Sequence, residues 1–171
     1  ALNQGLQGLL REGDHVITTS MEHNSVLRPL KMLETKGVDH TIVKCDRTGA
    51  VSLRDIKASI QPNTRLIVCT HASNVTGTIM PIREIGELAH RNNLLFMVDG
   101  AQSAGGIPLN VGELNLDLLA LPGHKGLLGP MGTGLLYVRD GIELEPLLPG
   151  GTGTLSKDRR PSKEMPEGYE A

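Results

Sequence analysis

The stretch Arg65-Leu-Ile-Val-Cys-Thr70 has four apolar residues in succession, without the alternation of a half-exposed strand. A continuous apolar run of this length is typical of a strand that is covered on both faces of its sheet. Such strands occur almost only in parallel sheets that carry helices on each side. The stretch therefore predicts an α/β fold.

Further strands and helices alternate on both sides of this stretch. We predict strands at His15–Thr19, Asp39–Lys44, Leu94–Val98, Leu116–Leu121 and, antiparallel, Gly134–Val138. Helical spacing of apolar residues, with Ser52 as a cap and Pro81 in a first turn, predicts helices over Ala1–Glu12, Val26–Leu33, Ser52–Ile60 and Pro81–Ala89. Strands that alternate with short helices indicate βαβ units, whose right-handed crossovers place helices on both faces of the sheet. The predicted fold class is α/β, a three-layer αβα sandwich with a mostly parallel sheet.

The character of the sequence changes at Pro149. Residues 1–149 carry all the predicted strands and helices, and we interpret them as one domain. Residues 150–171 are polar and contain several Gly and Pro residues, so we expect a tail that connects to a missing C-terminal domain. Because Ala1 falls inside an apolar helical pattern, we also expect the domain to be truncated at its N-terminus.

Composition excludes several classes of protein. The 171 residues include 17 Lys and Arg against 19 Asp and Glu, so no basic surface for nucleic acid or an anionic membrane is expected. No apolar run approaches the roughly 18 residues of a membrane span, and no signal peptide opens the chain. Two cysteines, Cys45 and Cys69, are too few for a disulfide framework or a Cys-based zinc site. We therefore expect a cytoplasmic protein without a metal site, whose cysteines are core residues.

Polar residues follow four of the predicted strands, at the edge where open α/β sheets bind ligands. The four stretches are Ser20-Met-Glu-His23, Thr70-His-Ala-Ser-Asn-Val-Thr-Gly77, Asp99-Gly-Ala-Gln102 and Pro122-Gly-His-Lys125. A lysine on a Gly-flanked loop can form a Schiff base with an aldehyde, and a carboxylate at a strand end can hold a pyridine nitrogen protonated. A histidine ring can stack on a planar cofactor. This combination predicts a pyridoxal 5'-phosphate site.

Each of these residues also has an ordinary structural interpretation. Lys125 alone is compatible with a solvated loop lysine, and Asp99 with a carboxylate that caps the next turn. His23 is compatible with an exposed helix start, and Asn74 with a left-handed turn. The run Gly129–Gly134 lacks the Gly-Lys-Ser/Thr ending of a nucleotide loop, so we interpret it as close backbone packing before the antiparallel strand.

Four motifs resemble class V aminotransferases, in particular their cysteine desulfurase and selenocysteine lyase branch. They are Met21-Glu-His-Asn-Ser25, Ser73-Asn-Val-Thr-Gly77, Val98-Asp-Gly-Ala-Gln-Ser103 and Gly123-His-Lys125 with Gly129-Pro-Met-Gly-Thr-Gly134. The resemblance covers nearly the whole chain, and the spacing from Asp-Gly-Ala-Gln to Gly-His-Lys is highly specific. It implies the large domain of a fold-type I enzyme that uses pyridoxal phosphate to remove sulfur or selenium from a free amino acid, leaving alanine.

The same resemblance implies catalytic roles for two side chains. Lys125 would be the Schiff-base lysine that forms the internal aldimine, and it would move the substrate proton. His23 would stack on the face of the cofactor ring. Asp99 would pair with the pyridinium nitrogen.

The resemblance implies three further contacts and two kinds of partner. Gln102 would bond the phenolic oxygen of the ring, and His124 would lie by the phosphate or the internal aldimine. Asn74 would contact the substrate carboxylate or a ring substituent. Members of the family are homodimers, and a desulfurase passes its sulfur to an acceptor thiol, so we expect a homodimer and a sulfur-acceptor protein.

Three features depart from the family pattern. Pro122 stands where the family usually has Ser or Thr, and proline supplies neither a hydroxyl nor an N–H for the phosphate. The family's phosphate-binding helix start would precede Ala1, and its sulfur-accepting cysteine would lie far downstream of Lys125. The sequence therefore leaves two alternatives open: another class V enzyme (a transaminase, epimerase or kynureninase-like hydrolase), or an inert fragment of such an enzyme.

Overall fold

The computed structural model describes residues 1–148 and Gly150, where helices and strands alternate. The helices are α1 (Leu2–Leu9), α2 (Asn24–Glu34), α3 (Leu53–Ala58) and α4 (Ile82–Arg91). The strands are β1 (His15–Thr19), β2 (Asp39–Val43), β3 (Thr64–Thr70), β4 (Leu95–Asp99), β5 (Leu118–Pro122) and β6 (Gly134–Val138). Every predicted helix and strand is confirmed, with some ends shifted. The predicted tail, residues 150–171, lies outside the described residues apart from Gly150.

The strands form one sheet in the order β2-β1-β3-β4-β5-β6. Strands β1 to β5 are parallel to one another, and β6 runs antiparallel to β5. Strand β3 lies between β1 and β4, and its residues from Leu66 to Thr70 are all buried. The sheet is thus mostly parallel, as the apolar run in β3 predicts.

The helices cover both faces of the sheet. On one face, α1 and α2 contribute Leu6 and Leu30 to a cluster of buried side chains. On the other face, α3 and α4 contribute Ile56 and Ile85 to a second cluster, which also contains the single phenylalanine, Phe96. Burial of each such side chain stabilises the fold by roughly 1.5–3 kcal/mol. The three-layer αβα sandwich is confirmed.

None of the described helices has the length and apolar character needed to cross a lipid bilayer. The longest of them, α2, has 11 residues.

The segment after β6 returns over α1 and holds it in place. Gly8 makes this approach possible, because a Cβ there would lie 2.7 Å from the carbonyl oxygen of Glu145. Gln4 bonds the segment twice: its Nε2 donates to Glu145 O at 2.7 Å, and its Oε1 accepts from Leu147 N at 3.0 Å. These contacts fix the start of α1 relative to the sheet.

A buried carboxylate ties the elements together at the amino ends of the parallel strands. Asp117, just before β5, is fully buried. It accepts hydrogen bonds from Phe96 N at 2.7 Å and Arg139 Nε at 2.6 Å, and its Oδ2 lies 3.0 Å from His90 Nε2. Two cationic or polar side chains and one backbone N–H therefore satisfy this carboxylate, far from the edge that carries the predicted site.

Candidate active site

A cavity of about 400 Å³ lies at the carboxyl ends of the parallel strands. Its walls include all six predicted site residues, which are His23, Asn74, Asp99, Gln102, His124 and Lys125. They lie at the end of β4 or in the loops after β1, β3, β4 and β5, whose ends meet at one edge of the sheet. The structure therefore brings the predicted set together, while the role of each member stays a prediction.

Asp99 is the last residue of β4 and is only 3% exposed. Its Oδ1 accepts the backbone N–H of Ala101 at 3.0 Å, which forms the turn that leads to Gln102. Burial raises the pKa of the Asp99 carboxyl, while the Ala101 hydrogen bond and the charges of Lys125 and His23 act against that rise. Within the described residues, Oδ2 has no hydrogen-bond partner, so a cation in the cavity would stabilise the ionised form.

His23 combines a local structural role with its place in the cavity wall. It is the N-cap of α2, and its Nδ1 accepts the backbone N–H of Ser25 at 3.1 Å. Because a ring nitrogen that accepts an N–H carries no proton, the neutral imidazole has its proton on Nε2. Capping thus sets both the tautomer and the position of the ring at the cavity.

Lys125 lies in a tight loop between β5 and β6. Gly129 N donates to Gly123 O at 2.7 Å, and Gly123 N donates to Thr133 O at 2.8 Å. A Cβ on Gly123 would lie 2.1 Å from Thr133 Oγ1, so a larger residue there would have to displace Thr133. The predicted close backbone packing is confirmed. The Lys125 amine forms no ion pair or hydrogen bond with any described residue and is available to a ligand.

The loops after β4 and β5 touch each other through two glycines. A Cβ on Gly126 would lie 2.0 Å from Ala104 O, and a Cβ on Gly105 would lie 2.2 Å from Gly126 O. Gly105 also has a φ of +79°, which other residues rarely adopt. This backbone contact sets the position of Lys125 relative to Asp99.

Asn74 is carried by a short hairpin after β3. The hairpin closes through a bridge between Ala72 and Ile79 and a hydrogen bond from Ser73 N to Thr78 O at 2.9 Å. The Thr78 hydroxyl donates to the Thr48 carbonyl in the loop after β2, which anchors the hairpin to the rest of the molecule. The Asn74 side chain is exposed at the cavity and can bind a polar ligand group.

Gln102 and His124 are exposed side chains of the cavity wall. Neither side chain has a hydrogen-bond partner in the part of the chain that the structure describes. Their polar atoms therefore have no competing contacts among the described residues and can bind a ligand. Pro122 also lines the cavity and supplies no donor there.

Sequence reasoning missed Glu22, which precedes His23. It is 8% exposed, and its Oε1 accepts from Thr19 Oγ1 at 2.7 Å and from Thr70 N at 3.0 Å. Burial raises the pKa of its carboxyl to about 7. One signal was available: Thr19 and Glu22 have the Thr-x-x-Glu spacing of a capping box, but no helix begins at Thr19.

The residues of the cavity fit pyridoxal phosphate. A buried carboxylate with one free oxygen and an unpaired primary amine line the same space, together with an imidazole held at a helix cap. Leu2 of α1 is also part of the wall.

Two of the curated proteins that the chain resembles in sequence carry the name cysteine desulfurase. A probable cysteine desulfurase of Methanothermobacter thermautotrophicus (strain Delta H) is 41% identical over 176 residues, which cover 100% of this chain and 44% of the relative. The cysteine desulfurase IscS of Methanosarcina thermophila is 44% identical over 140 residues, which cover 82% of this chain and 34% of the relative. The chain thus spans less than half the length of these relatives.

Solved structures lead to the same group of proteins. The apo structure of the cysteine desulfurase from Thermococcus onnurineus NA1 matches with a TM-score of 0.82 and 39% identity, over 88% of this chain and 39% of that one. SspA in complex with cysteine matches with a TM-score of 0.82 and 38% identity, over 88% of this chain and 45% of that one. The family model for aminotransferase class-V matches residues 1–171. With Lys125 and Asp99 at one cavity of the expected sheet, this chain belongs to the class V aminotransferase family, whose cofactor is pyridoxal phosphate.

Proposed function

We propose that this chain carries the cofactor site of a cysteine desulfurase, which removes the sulfur of free cysteine and leaves alanine. The observation that supports this most is that Lys125 and Asp99 line one cavity from the ends of neighbouring strands. Relatives that are 41% and 44% identical and are named cysteine desulfurases favour this reaction over others in the family. The same residues would act on selenocysteine, which differs from cysteine only in its chalcogen atom.

The cavity residues would bind and tune the cofactor. When bound, pyridoxal phosphate supplies an aldehyde that takes up an amino group and a pyridine ring that withdraws electrons. Asp99 would keep the ring nitrogen protonated, and the resulting cation offsets the cost of burying this carboxylate. His23 would cover one face of the ring and exclude water, and Gln102 would donate an amide N–H to the ring oxygen.

Lys125 and Asn74 would act on the substrate. Lys125 would hold the cofactor through its amine, which can react with the aldehyde group. As a free amine it would then take the proton from the substrate Cα. Asn74 would bind the substrate carboxylate, and His124 would contact the phosphate side of the cofactor. The sulfur would pass to an acceptor thiol, and from there to an acceptor protein.

Trapping and product analysis test this proposal in the complete protein. Borohydride reduction after addition of pyridoxal phosphate should place a stable adduct on the peptide that contains Lys125, and L-cysteine should yield alanine and sulfide. Lys125→Ala should lose both results, whereas Lys36→Ala, a change of an exposed lysine just after the C-terminal end of α2, should keep them. An adduct on another lysine would contradict the assignment. A keto acid without sulfide would indicate a transaminase, and cysteine and selenocysteine in competition would rank the two substrates.

We further propose that the complete protein is a homodimer. Large apolar side chains are exposed beside the cavity, since Leu128 is 91%, Met131 85% and Leu135 59% exposed. Exposed large apolar side chains that lie close together in the chain are typical of an interface. Sedimentation should give twice the mass of one chain, and Met131→Ser should weaken the association. A monomer at all concentrations would contradict the proposal.

A further inference from the structure

A buried glutamate bridges the carboxyl ends of β1 and β3. Glu22 lies in the loop after β1, and its Oε1 joins the end of β1 at Thr19 to the end of β3 at Thr70. The connections after these two strands go in opposite directions, because β1 is followed by the edge strand β2 and β3 by β4. Ligands of open α/β sheets bind at such a reversal of strand order.

The Glu22 side chain supplies the hydrogen-bond acceptor that a neighbouring strand would otherwise supply to Thr70. Thr70 is paired with Asp99 of β4 on one side, but the pairing of β3 with β1 ends before Thr70. The backbone N–H of Thr70 would therefore be left without a partner, and the Glu22 carboxylate accepts it in place of a β1 carbonyl. Glu22 is therefore linked to Asp99 through the strand pair of Thr70 with Asp99. It is also the chain neighbour of His23.

The surroundings of Glu22 favour its neutral form. Its Oε2 is buried and has no hydrogen-bond partner, and no basic side chain among residues 1–148 pairs with it. The titratable groups whose charges act on it or respond to it are Asp99 of β4 and Cys69 of β3, and both are anionic when ionised. A buried carboxylate without a cation or a full set of donors is disfavoured relative to the neutral acid.

We propose that Glu22 is a positioning residue that works as a neutral carboxylic acid. In this form it holds the end of β3 and the loop that carries His23 in the arrangement that the cavity requires. Loss of its proton leaves an ionised carboxylate buried without a cation and places a second negative charge beside Asp99, which disfavours this arrangement. The inference rests on the proposed function, because its effect on turnover acts through the cofactor ring between His23 and Asp99.

Two variants of the complete protein separate a neutral from an ionised Glu22. In Glu22→Gln the amide oxygen can accept the bonds from Thr19 and Thr70, and the amide N–H₂ stands in for the protonated oxygen. This variant should keep kcat/KM within about twofold of the unchanged protein at neutral pH. Glu22→Ala removes the support and should lose about tenfold or more, since small displacements of catalytic groups are costly.

The pH profile distinguishes positioning from a purely structural role. The unchanged protein should lose kcat/KM as the pH rises through neutrality, and Glu22→Gln should lack this loss. A buried core residue away from the cavity, Ile56, offers the control: Ile56→Ala should lower the stability but leave the pH profile unchanged. A Gln variant as defective as the Ala variant, or one with an unaltered pH profile, would overturn the inference.

A readout without cofactor or substrate keeps the two proposals apart. The infrared difference between the unchanged protein and Glu22→Gln should contain the band of a protonated carboxyl below neutral pH and lose it above. Absence of that band below neutral pH overturns the inference while leaving desulfurase activity untouched. If the band is present but cysteine gives no sulfide, the proton on Glu22 stands and the proposed function fails.

Discussion

The two oxygens of Asp99 have different partners, and single substitutions separate their effects. Oδ1 accepts the N–H of Ala101, and Oδ2 is open to a cation. Asp99→Asn keeps the acceptor and the shape but removes the charge, so turnover should fall by two or more orders of magnitude, roughly 3 kcal/mol. Asp99→Ala should lose the same turnover and also about 1 kcal/mol of stability, because Ala101 loses its partner. Turnover with cysteine and urea unfolding measure the two effects; near-normal turnover in the Asn variant would exclude the role.

His23 offers a similar separation, since it both caps α2 and lines the cavity. Asparagine is a good N-cap but has no ring to stack. His23→Asn should therefore keep the thermal stability while turnover drops, and His23→Ala should lose turnover together with about 1 kcal/mol of stability. Equal stability of the two variants would show that the Ser25 contact contributes little. Normal turnover in either would contradict a place for the imidazole on the cofactor ring.

The contact between the loops after β4 and β5 predicts a large effect from one methyl group. Gly126→Ala places a Cβ against the Ala104 carbonyl, so the loops must separate and carry Lys125 away from Asp99. We expect a loss of about 1–3 kcal/mol in stability and a clear loss of turnover.

A neighbouring glycine provides the control for that experiment. A Cβ on Gly106 would meet only Ser103 O, at 3.9 Å, so Gly106→Ala should change neither stability nor turnover measurably. If both variants behave alike in unfolding and turnover assays, the loop contact does not position Lys125.

Most of the fold could be predicted because each element carries its own pattern. The apolar run in β3 indicates a strand covered on both faces, and the helices have apolar residues at helical spacing. The start of β5 was placed too early, at Leu116 instead of Leu118. Leu116 is buried like a strand residue, but Asp117 turns its carboxylate to the Phe96 N–H, and a local pattern does not reveal that contact.

The site was predictable to the extent that it follows from parallel strands. Residues just after β1, β3, β4 and β5 must share one edge, so a cluster with Lys125 and Asp99 could be expected from the sequence. The role of Glu22 could not be predicted from its Thr-x-x-Glu spacing alone, because it depends on the pairing of β1 with β3 stopping at Ile17 and Ile67, short of Thr70. The Gly105–Gly126 contact was also hidden, since it joins two loops whose separation in space the sequence does not specify.

In the molecule as a whole, one end of the sheet carries the candidate active site and the other carries a cluster that stabilises the fold. The carboxyl ends carry the cavity, and the amino ends carry the buried Asp117 cluster. Asp117→Ala leaves the Phe96 N–H unsatisfied and Arg139 unpaired, and should cost roughly 2–5 kcal/mol of stability in urea unfolding. Cofactor capture by Lys125 should be unchanged while the protein stays folded. Arg139→Ala, a change of the half-exposed partner, should cost only about 1 kcal/mol; equal losses would place the energy in the ion pair instead.

Glu22 makes the stability of the whole domain depend on pH in a defined direction. Burial raises the pKa of its carboxyl from 4.5 to about 7, so the folded state binds the proton more tightly than the unfolded chain. The stabilisation is therefore complete below the unfolded pKa and is lost as the pH rises through about 7. A shift of this size corresponds to roughly 3 kcal/mol, and Asp99, whose pKa is also raised, acts in the same direction. Urea unfolding of the cofactor-free protein should give a lower free energy of unfolding at about pH 8 than at about pH 5. Glu22→Gln should remove most of this difference, whereas Asp99→Asn should retain the larger part. If the unchanged protein and Glu22→Gln lose the same free energy between the two pH values, another group carries the proton.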